Sequence, residues 1–245
     1  MEPRRFPVHC KVGEDAVCTY ALTYVTDDSP IDEIVEWMSR LKVLALDIET
    51  SGLSATKDNI ATIQLGYPLG DDPRVYVLDT RCVSPDALRR VLDALLRPAL
   101  RKLGMNIRFE CKFLQHHYGV ILNRVQDIQP AELLMRAGLF PSGSGRDEED
   151  EGSRKAYGAT SMAALCKRYL GIIIKKNKDL VTSFWRTPAG KHDREQLEYA
   201  AGDVVYPFFV ARAQAPELEA RALKNILDIE FECIPILADT ELHGM

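Results

Sequence analysis

The chain has 245 residues, with 31 basic and 36 acidic side chains for a formal net charge of −5. That length holds one large α/β domain, or one domain with appendages. The acidic balance excludes a protein that coats nucleic acid by bulk charge, but not an enzyme whose acidic site is neutralised locally by divalent cations.

Six scattered cysteines (Cys10, Cys18, Cys82, Cys111, Cys166 and Cys233) form no Cys-x-x-Cys pair. With no secretory apolar segment after Met1–Arg5, they read as reduced thiols of a soluble, intracellular protein. No apolar run approaches the ~20 residues of a membrane span, so no membrane association is expected.

In chain order, Val8–Val25 alternates with β-branched and aromatic residues and predicts a small hairpin. Ser29-Pro30 predicts an N-cap followed by proline at the first helical position, ahead of Ile31, Ile34, Val35, Met38 and Leu41 at helical spacing. Val43–Ile48 reads as a buried strand. Ile60–Tyr67 and Val75–Asp79 read as two more, joined through Gly70, Asp71, Asp72 and Pro73, so the three predict an antiparallel meander. Ser84-Pro85 opens a helix with Leu88, Val91, Leu92 and Leu95 on one face. Short strands near Leu103–Met105 and Val125–Asp127 then alternate with helices. The mixture predicts an α/β fold, a mixed β-sheet flanked by α-helices.

Pro141–Lys155 is acidic and glycine-rich and predicts a flexible surface loop (141–155). Thr160–Leu170 predicts a helix closed by Gly171. Asp193 and Gln196 predict a capping box for a helix running through Tyr199 and Asp203. Pro207 is expected to kink or end that helix, and another helical segment to follow Pro216. The expected organisation is a hairpin extension over 1–28, a main domain over 29–215 and a helical segment over 216–245.

Asp47 and Glu49 stand at the end of the buried strand. Residues i and i+2 of a strand share a face, so the two carboxylates project together while Ile48 points into the core. Two like charges there are costly unless a positive group lies between them, and a hard divalent cation with oxygen ligands meets that need. Two acids simply reaching solvent at a strand end are the plainer alternative. Tyr199 and Asp203, four apart, share a helix face, which by itself is equally an ordinary helix surface. Glu110 lies where a short strand passes into a helix, a place where the helix dipole favours an acid whatever its role.

Taken together and in this order, the residues resemble the DEDD exonuclease superfamily, in the subgroup with tyrosine in its last motif, built on a ribonuclease H-like fold. The matching stretches are Asp47-Ile48-Glu49-Thr50 with Ser51-Gly52-Leu53, Asn106-Ile107-Arg108-Phe109-Glu110 with Leu114, and Tyr199-Ala200-Ala201-Gly202-Asp203. Val125-Gln126-Asp127, Ser161–Gly171 and Ser183-Phe184-Trp185 match as well, so the resemblance spans roughly Leu41 to Arg212. The family has aspartate where this chain has Glu110. The longer side chain bears on activity more than on fold.

The resemblance implies hydrolysis of phosphodiesters with two divalent cations, Mg²⁺ or Mn²⁺, ~4 Å apart. Asp47 is implied to bridge both ions, Glu49 and Asp203 to hold the nucleophile-side ion, and Glu110 to act through bound water on the other. Tyr199, with a reference pKa near ~10, is a poor base at neutral pH and is implied to orient the attacking water. Thr50, Leu53 and Asn106 are the implied nucleic-acid contacts, with Leu53 against the terminal base. Leu53 as a turn-adjacent core leucine stays open, and Phe113 and Trp185 read as core.

Glu230–Met245 resembles the stretch that joins exonuclease and polymerase domains in family A DNA polymerases. The implied activity is therefore proofreading-type 3′→5′ removal of nucleotides from single-stranded or mismatched DNA 3′ ends. A DNA polymerase domain, encoded separately or removed, is the implied partner. A ribonuclease D-like RNA exonuclease shares these motifs and is the first alternative. A non-catalytic, exonuclease-like platform domain of a polymerase is the second, kept alive by Glu110.

Overall fold

The computed structural model describes residues 4–137, 160–174 and 183–244, so the acidic stretch Pro141–Lys155 lies outside the described residues. The strands are β1 (Arg4–Lys11), β2 (Val17–Val25), β3 (Val43–Thr50), β4 (Ile60–Tyr67), β5 (Arg74–Asp79), β6 (Arg101–Gly104) and β7 (Val125–Asp127). They form one sheet in the order β1-β2-β5-β4-β3-β6-β7. The main helices among the described residues are α1 (Ile31–Ser39), α2 (Pro85–Leu95), α3 (Arg108–Tyr118), α4 (Ile128–Met135), α5 (Met162–Leu170), α6 (Arg194–Ala220) and α7 (Lys224–Leu242).

β3, β4 and β5 make the antiparallel meander that their spacing predicts, while β6 and β7 add in parallel beyond β3. This mixed sheet flanked by helices is the α/β, ribonuclease H-like architecture expected from the motifs. The N-terminal hairpin forms, but it is not an appendage. β2 pairs in parallel with β5 from Ala21↔Arg74 to Val25↔Leu78, so residues 4–25 complete one edge of the domain's own sheet.

Helix starts follow the capping chemistry in most places. Ser84 caps α2 and Ser161 caps α5, each accepting from the backbone three residues on. At α1 the expectation is off by one. The helix starts at Ile31 with Pro30 in the cap position and no side-chain cap, because the Ser29 backbone and hydroxyl donate instead to Asp27. Pro207 neither ends α6 nor separates it from the next helix, and Pro216 also lies inside α6. The turn comes later, at Ala222 with φ of 54°. A proline inside a helix costs about 3 kcal/mol. Here the long apolar face of α6 (Leu197, Ala200, Ala201, Val204, Val205, Phe208 and Val210), all buried, outweighs it.

Strand alternation divides the core into two layers. Leu44, Leu46, Ile48, Ile63, Leu65, Tyr76 and Leu78 pack with α1, α2, α3 and α7. Tyr20, Leu22, Tyr24, Ala45, Val75 and Val77 face the other way, under α5 and α6. By the same period-2 rule, Asp47, Glu49 and Asp79 fall on the α6 side. Gly66 of β4 lets α6 come close, since a Cβ there would lie 2.7 Å from the Val204 side chain. Among the described residues no helix is long and apolar enough to cross a membrane, and the six cysteines are free thiols.

Candidate active site

The site forms where the end of β3 meets the second and third turns of α6. β3 shifts register between Glu49 and Thr50, which ends the ladder just past the two acids. α6 is started by the expected capping box: Asp193 Oδ1 accepts from Gln196 N at 2.9 Å and Gln196 Oε1 from Asp193 N at 3.0 Å. One turn separates Tyr199 from Asp203, so both face β3. Asp47, Glu49 and Asp203 each place a carboxylate oxygen within 4.8 Å of the other two, and all three are half-buried. Among the described residues no lysine or arginine pairs with any of them.

Crowding like charges out of water shows in the acidities. Burial first, then the charges of Asp203, Glu110 and Glu49, push the Asp47 carboxyl well above the usual carboxylate range. Burial and Asp203 do the same to Glu49. Burial raises Asp203 to about 7. The group titrates as a set and holds protons where isolated carboxylates would not. An oxygen-only, anionic donor set of this span is what a hard divalent cation requires, so the residues fit such an ion. Burial, then Asp203, Glu49 and Asp47, also push the Tyr199 hydroxyl up, so it stays protonated at neutral pH.

Glu110 sits in the first turn of α3, 3% exposed, and is not within the 4.8 Å set. Its Oε2 is buried without a hydrogen-bond partner. Burial pushes its carboxyl well up, with Asp127, Asp203 and Glu49 adding to the shift. An orphaned, buried carboxylate oxygen is expensive unless a ligand or water completes it.

Thr50, Leu53 and Asn106 differ in exposure and in backbone setting. Leu53 is 85% exposed at the tip of the turn after β3, which rules out a core role. Asp58 builds that turn, accepting from Ser51 Oγ at 3.1 Å and Ser54 N at 2.9 Å. A Cβ at Gly52 would lie 2.5 Å from the same carboxylate. Thr50 Oγ1 donates to Gly52 O at 2.6 Å. Asn106, half-buried, takes a left-handed φ of 57° where β6 turns into α3. Asp127 caps α4 through Gln129 N and also accepts from Ile107 N, both at 2.9 Å, tying the Glu110 segment to β7. Phe113 is fully buried, as its reading as core requires, whereas Trp185, also read as core, is 40% exposed and is not a core residue.

The family model described as 3′-5′ exonuclease, of the DNA polymerase A type, matches residues 22–219. The chain belongs to this family of DEDD exonucleases. Its members work with divalent metals, and the Asp47–Glu49–Asp203 cluster is consistent with that. Comparison with curated proteins gives no match. Among solved structures, one described as the apo form of a nuclease is similar at 25% identity and TM-score 0.65, covering 90% of this chain and 92% of its own. Brucella melitensis NrnC is similar at 21% identity and TM-score 0.63 over the same shares, and has also been solved bound to pGG and with bound Mg²⁺. Escherichia coli RNase D, described as an exoribonuclease involved in structured RNA processing, is similar at 17% identity and TM-score 0.67, with 88% of this chain spanning 50% of that one. The last two likenesses are of fold.

One polar centre on the same side of the sheet escaped sequence reasoning. Asp79, at the end of β5, has no solvent exposure and accepts five hydrogen bonds. They come from Tyr24 Oη (2.8 Å), Arg81 N (3.2 Å), Arg81 Nε and Nη2 (both 2.9 Å) and Gly190 N (2.9 Å). Burial alone would raise its pKa. The His192 ring, whose Nδ1 lies 3.5 Å away, and the hydrogen bonds from Arg81, Gly190 and Tyr24 outweigh burial and hold it well below the usual range. The signal available in the sequence was an aspartate closing an otherwise apolar strand, Val75-Tyr76-Val77-Leu78-Asp79. A buried acid demands partners, but which partners could not be read from spacing.

Proposed function

We propose that this chain is a metal-dependent 3′→5′ exonuclease that removes nucleotides from single-stranded 3′ ends. The observation that carries the reading is the meeting of Asp47, Glu49 and Asp203 within 4.8 Å with no cationic side chain among the described residues paired to them. Asp47, Glu49 and Asp203 are the residues that would hold the cations directly, and Glu110, with its unpartnered Oε2, would act through bound water. Divalent cations held there supply a deprotonated water near neutral pH and neutralise charge on the leaving 3′ oxygen. Tyr199 keeps its proton and so orients the attacking water by a hydrogen bond rather than taking its proton. Exposed Leu53 would offer an apolar surface to an unstacked terminal base, and Thr50 and Asn106 would add polar contacts to the strand.

The sugar divides two readings. The family model of the polymerase A type and the resemblance of Glu230–Met245 to a polymerase lead-in favour DNA, in a proofreading-type role beside a polymerase domain. The description of the E. coli relative as an exoribonuclease favours RNA. The test is a gel assay with 5′-labelled single-stranded DNA and RNA of the same sequence, each with Mg²⁺, Mn²⁺ or EDTA. A ladder shortening from the 3′ end, faster on DNA and abolished by EDTA, is expected. RNA degraded as fast as DNA moves the ribonuclease D-like reading ahead, and cutting that persists in EDTA sinks both.

A further inference from the structure

A column of rings leads from the N-terminal hairpin to the helix that carries Tyr199. Tyr24 of β2 lies 5.7 Å from His192, edge to face; His192 lies 5.1 Å from Phe184; Phe184 lies 6.1 Å from Tyr199, all between ring centroids. Tyr24, His192 and Phe184 are buried, and Tyr199 is half-buried at the end of the column. Contact geometry of this kind transmits position, because close-packed rings have no room to tilt independently.

His192 is the fixed point. A carbonyl oxygen only accepts, so His192 Nε2–H donates to Phe184 O, at 3.1 Å. Nδ1 lies 2.8 Å from Tyr24 Oη, which donates to Asp79 at 2.8 Å. Arg4 Nη2 donates to the His192 carbonyl at 2.6 Å. The same segment is tied down at two more points: Gly190 N donates to Asp79, and Arg81 Nη1 donates to Thr187 O, both at 2.9 Å. From the helix side, Gln196 Nε2 donates to Ser183 Oγ at 2.6 Å and Thr187 Oγ1 at 2.8 Å. Turning the imidazole would therefore break the Nε2–H bond to Phe184 O and lose the 2.8 Å contact of Nδ1 with Tyr24 Oη. Phe184 is held by its backbone on one side and by two rings on the other.

We propose that His192, fixed by Tyr24 and Asp79, is a positioning residue that sets the place of the Tyr199 ring through Phe184. The inference rests on the reading of Tyr199 as the group that orients the attacking water. A tyrosine hydroxyl stands far from its Cα, so a small tilt at the ring displaces it by about 1 Å, and displacements of that size cost up to about 10²-fold in rate. None of Tyr24, His192 and Asp79 belongs to the Asp47–Glu49–Asp203 cluster, so altering them changes position without changing the site's charge.

The test is a double-mutant comparison by single-turnover and steady-state kinetics on a 5′-labelled single-stranded oligonucleotide with Mg²⁺. Tyr24→Phe, which keeps the ring and removes one hydroxyl, and His192→Asn should each lower kcat about tenfold with KM within about twofold. In a Tyr199→Phe background neither should lower it further, because the ring they position no longer carries the hydroxyl. Equal losses in both backgrounds, a loss confined to KM, or an unchanged kcat overturns the proposal. Should His192→Asn fail to fold, Tyr24→Phe decides alone. Should Tyr199→Phe by itself leave kcat unchanged, the role of Tyr199 fails first. The ring resonance of Tyr199 in ¹³C-tyrosine-labelled protein, assigned by its loss in Tyr199→Phe, then decides the positioning claim. A shifted signal in Tyr24→Phe supports it, and an unmoved one overturns it.

Discussion

Two sets of carboxylates share the α6-facing side of the sheet and are built in opposite ways. At the end of β3, Asp47 and Glu49 meet Asp203 with no cationic partner among the described residues, and all three are pushed up in pKa. At the end of β5, Asp79 is more deeply buried yet accepts five hydrogen bonds and is pulled down. Burial is common to both, so burial does not separate a carboxylate open to a cation from one satisfied by the protein. Donors do. A carboxylate saturated by the protein has nothing left to offer a ligand, whereas one surrounded by other carboxylates stores a repulsion that a cation relieves.

That contrast can be broken by substitution. Asp47→Ala should lower the exonuclease rate by about 10³-fold or more, ~4 kcal/mol in the barrier. The same change should leave the metal-free protein as stable as wild type or more so at neutral pH, because it removes a repelling charge. Equal metal-induced rises in Tm for wild type and variant would contradict the assignment of Asp47 as a ligand. Asp79→Asn should do the reverse, costing about 2–3 kcal/mol in urea denaturation by stranding Arg81 and its other donors. A stability loss below about 0.5 kcal/mol would show that the network is not structural.

Tyr199→Phe should slow turnover by about 10- to 100-fold, ~1.4–2.7 kcal/mol, with the metal-induced rise in Tm unchanged. The pH dependence sharpens the contrast further. For Asp47, Glu49 and Asp203 the folded-state pKa lies above the unfolded value, so the folded form binds more protons over that window. Metal-free stability should therefore fall as pH rises from about 4 through the Asp203 value of about 7. Asp79, shifted down, contributes stability that is present above its unfolded pKa and lost only as pH falls below about 4. Differential scanning fluorimetry with and without Mn²⁺ should show a larger metal effect at pH 8 than at pH 5, by about 1–2 kcal/mol or a few degrees. An equal effect at both pH values would mean that metal does not displace these protons.

The smallest effect is expected at Glu110. Its Oε2 is already unpartnered and its carboxylate stands outside the 4.8 Å set, so an outer contact tolerates the added methylene. Glu110→Asp should leave the rate within about tenfold, ~1.4 kcal/mol. A larger rise in the Mg²⁺-supported rate, partly hidden in Mn²⁺, would show that glutamate misplaces its share of the site.

Much of this was legible in the sequence because it is local. Alternation along Val43–Thr50 put Asp47 and Glu49 on one face, and helical spacing put Tyr199 and Asp203 on another. Asp193 and Gln196 marked the start of α6, and three apolar runs marked the meander. These are effects of period and capping over two to four residues, which any chain displays in its residue order. The motif order pointed to the family for the same reason.

Tertiary structure alone decided what meets across long separations. Asp47 comes within reach of Asp203 because Gly66 admits α6 against β4, and Tyr24 reaches His192 because β2 joins the sheet beside β5. Pro207 and Pro216 are carried inside α6 by an apolar face whose burial no local propensity registers. Glu110 is left with an orphaned oxygen, and Asp79 with a full set of donors, by the same packing. A sequence states which side chains carry charge. Which of those charges find partners depends on contacts between distant elements, and those contacts exist only once the layers have closed.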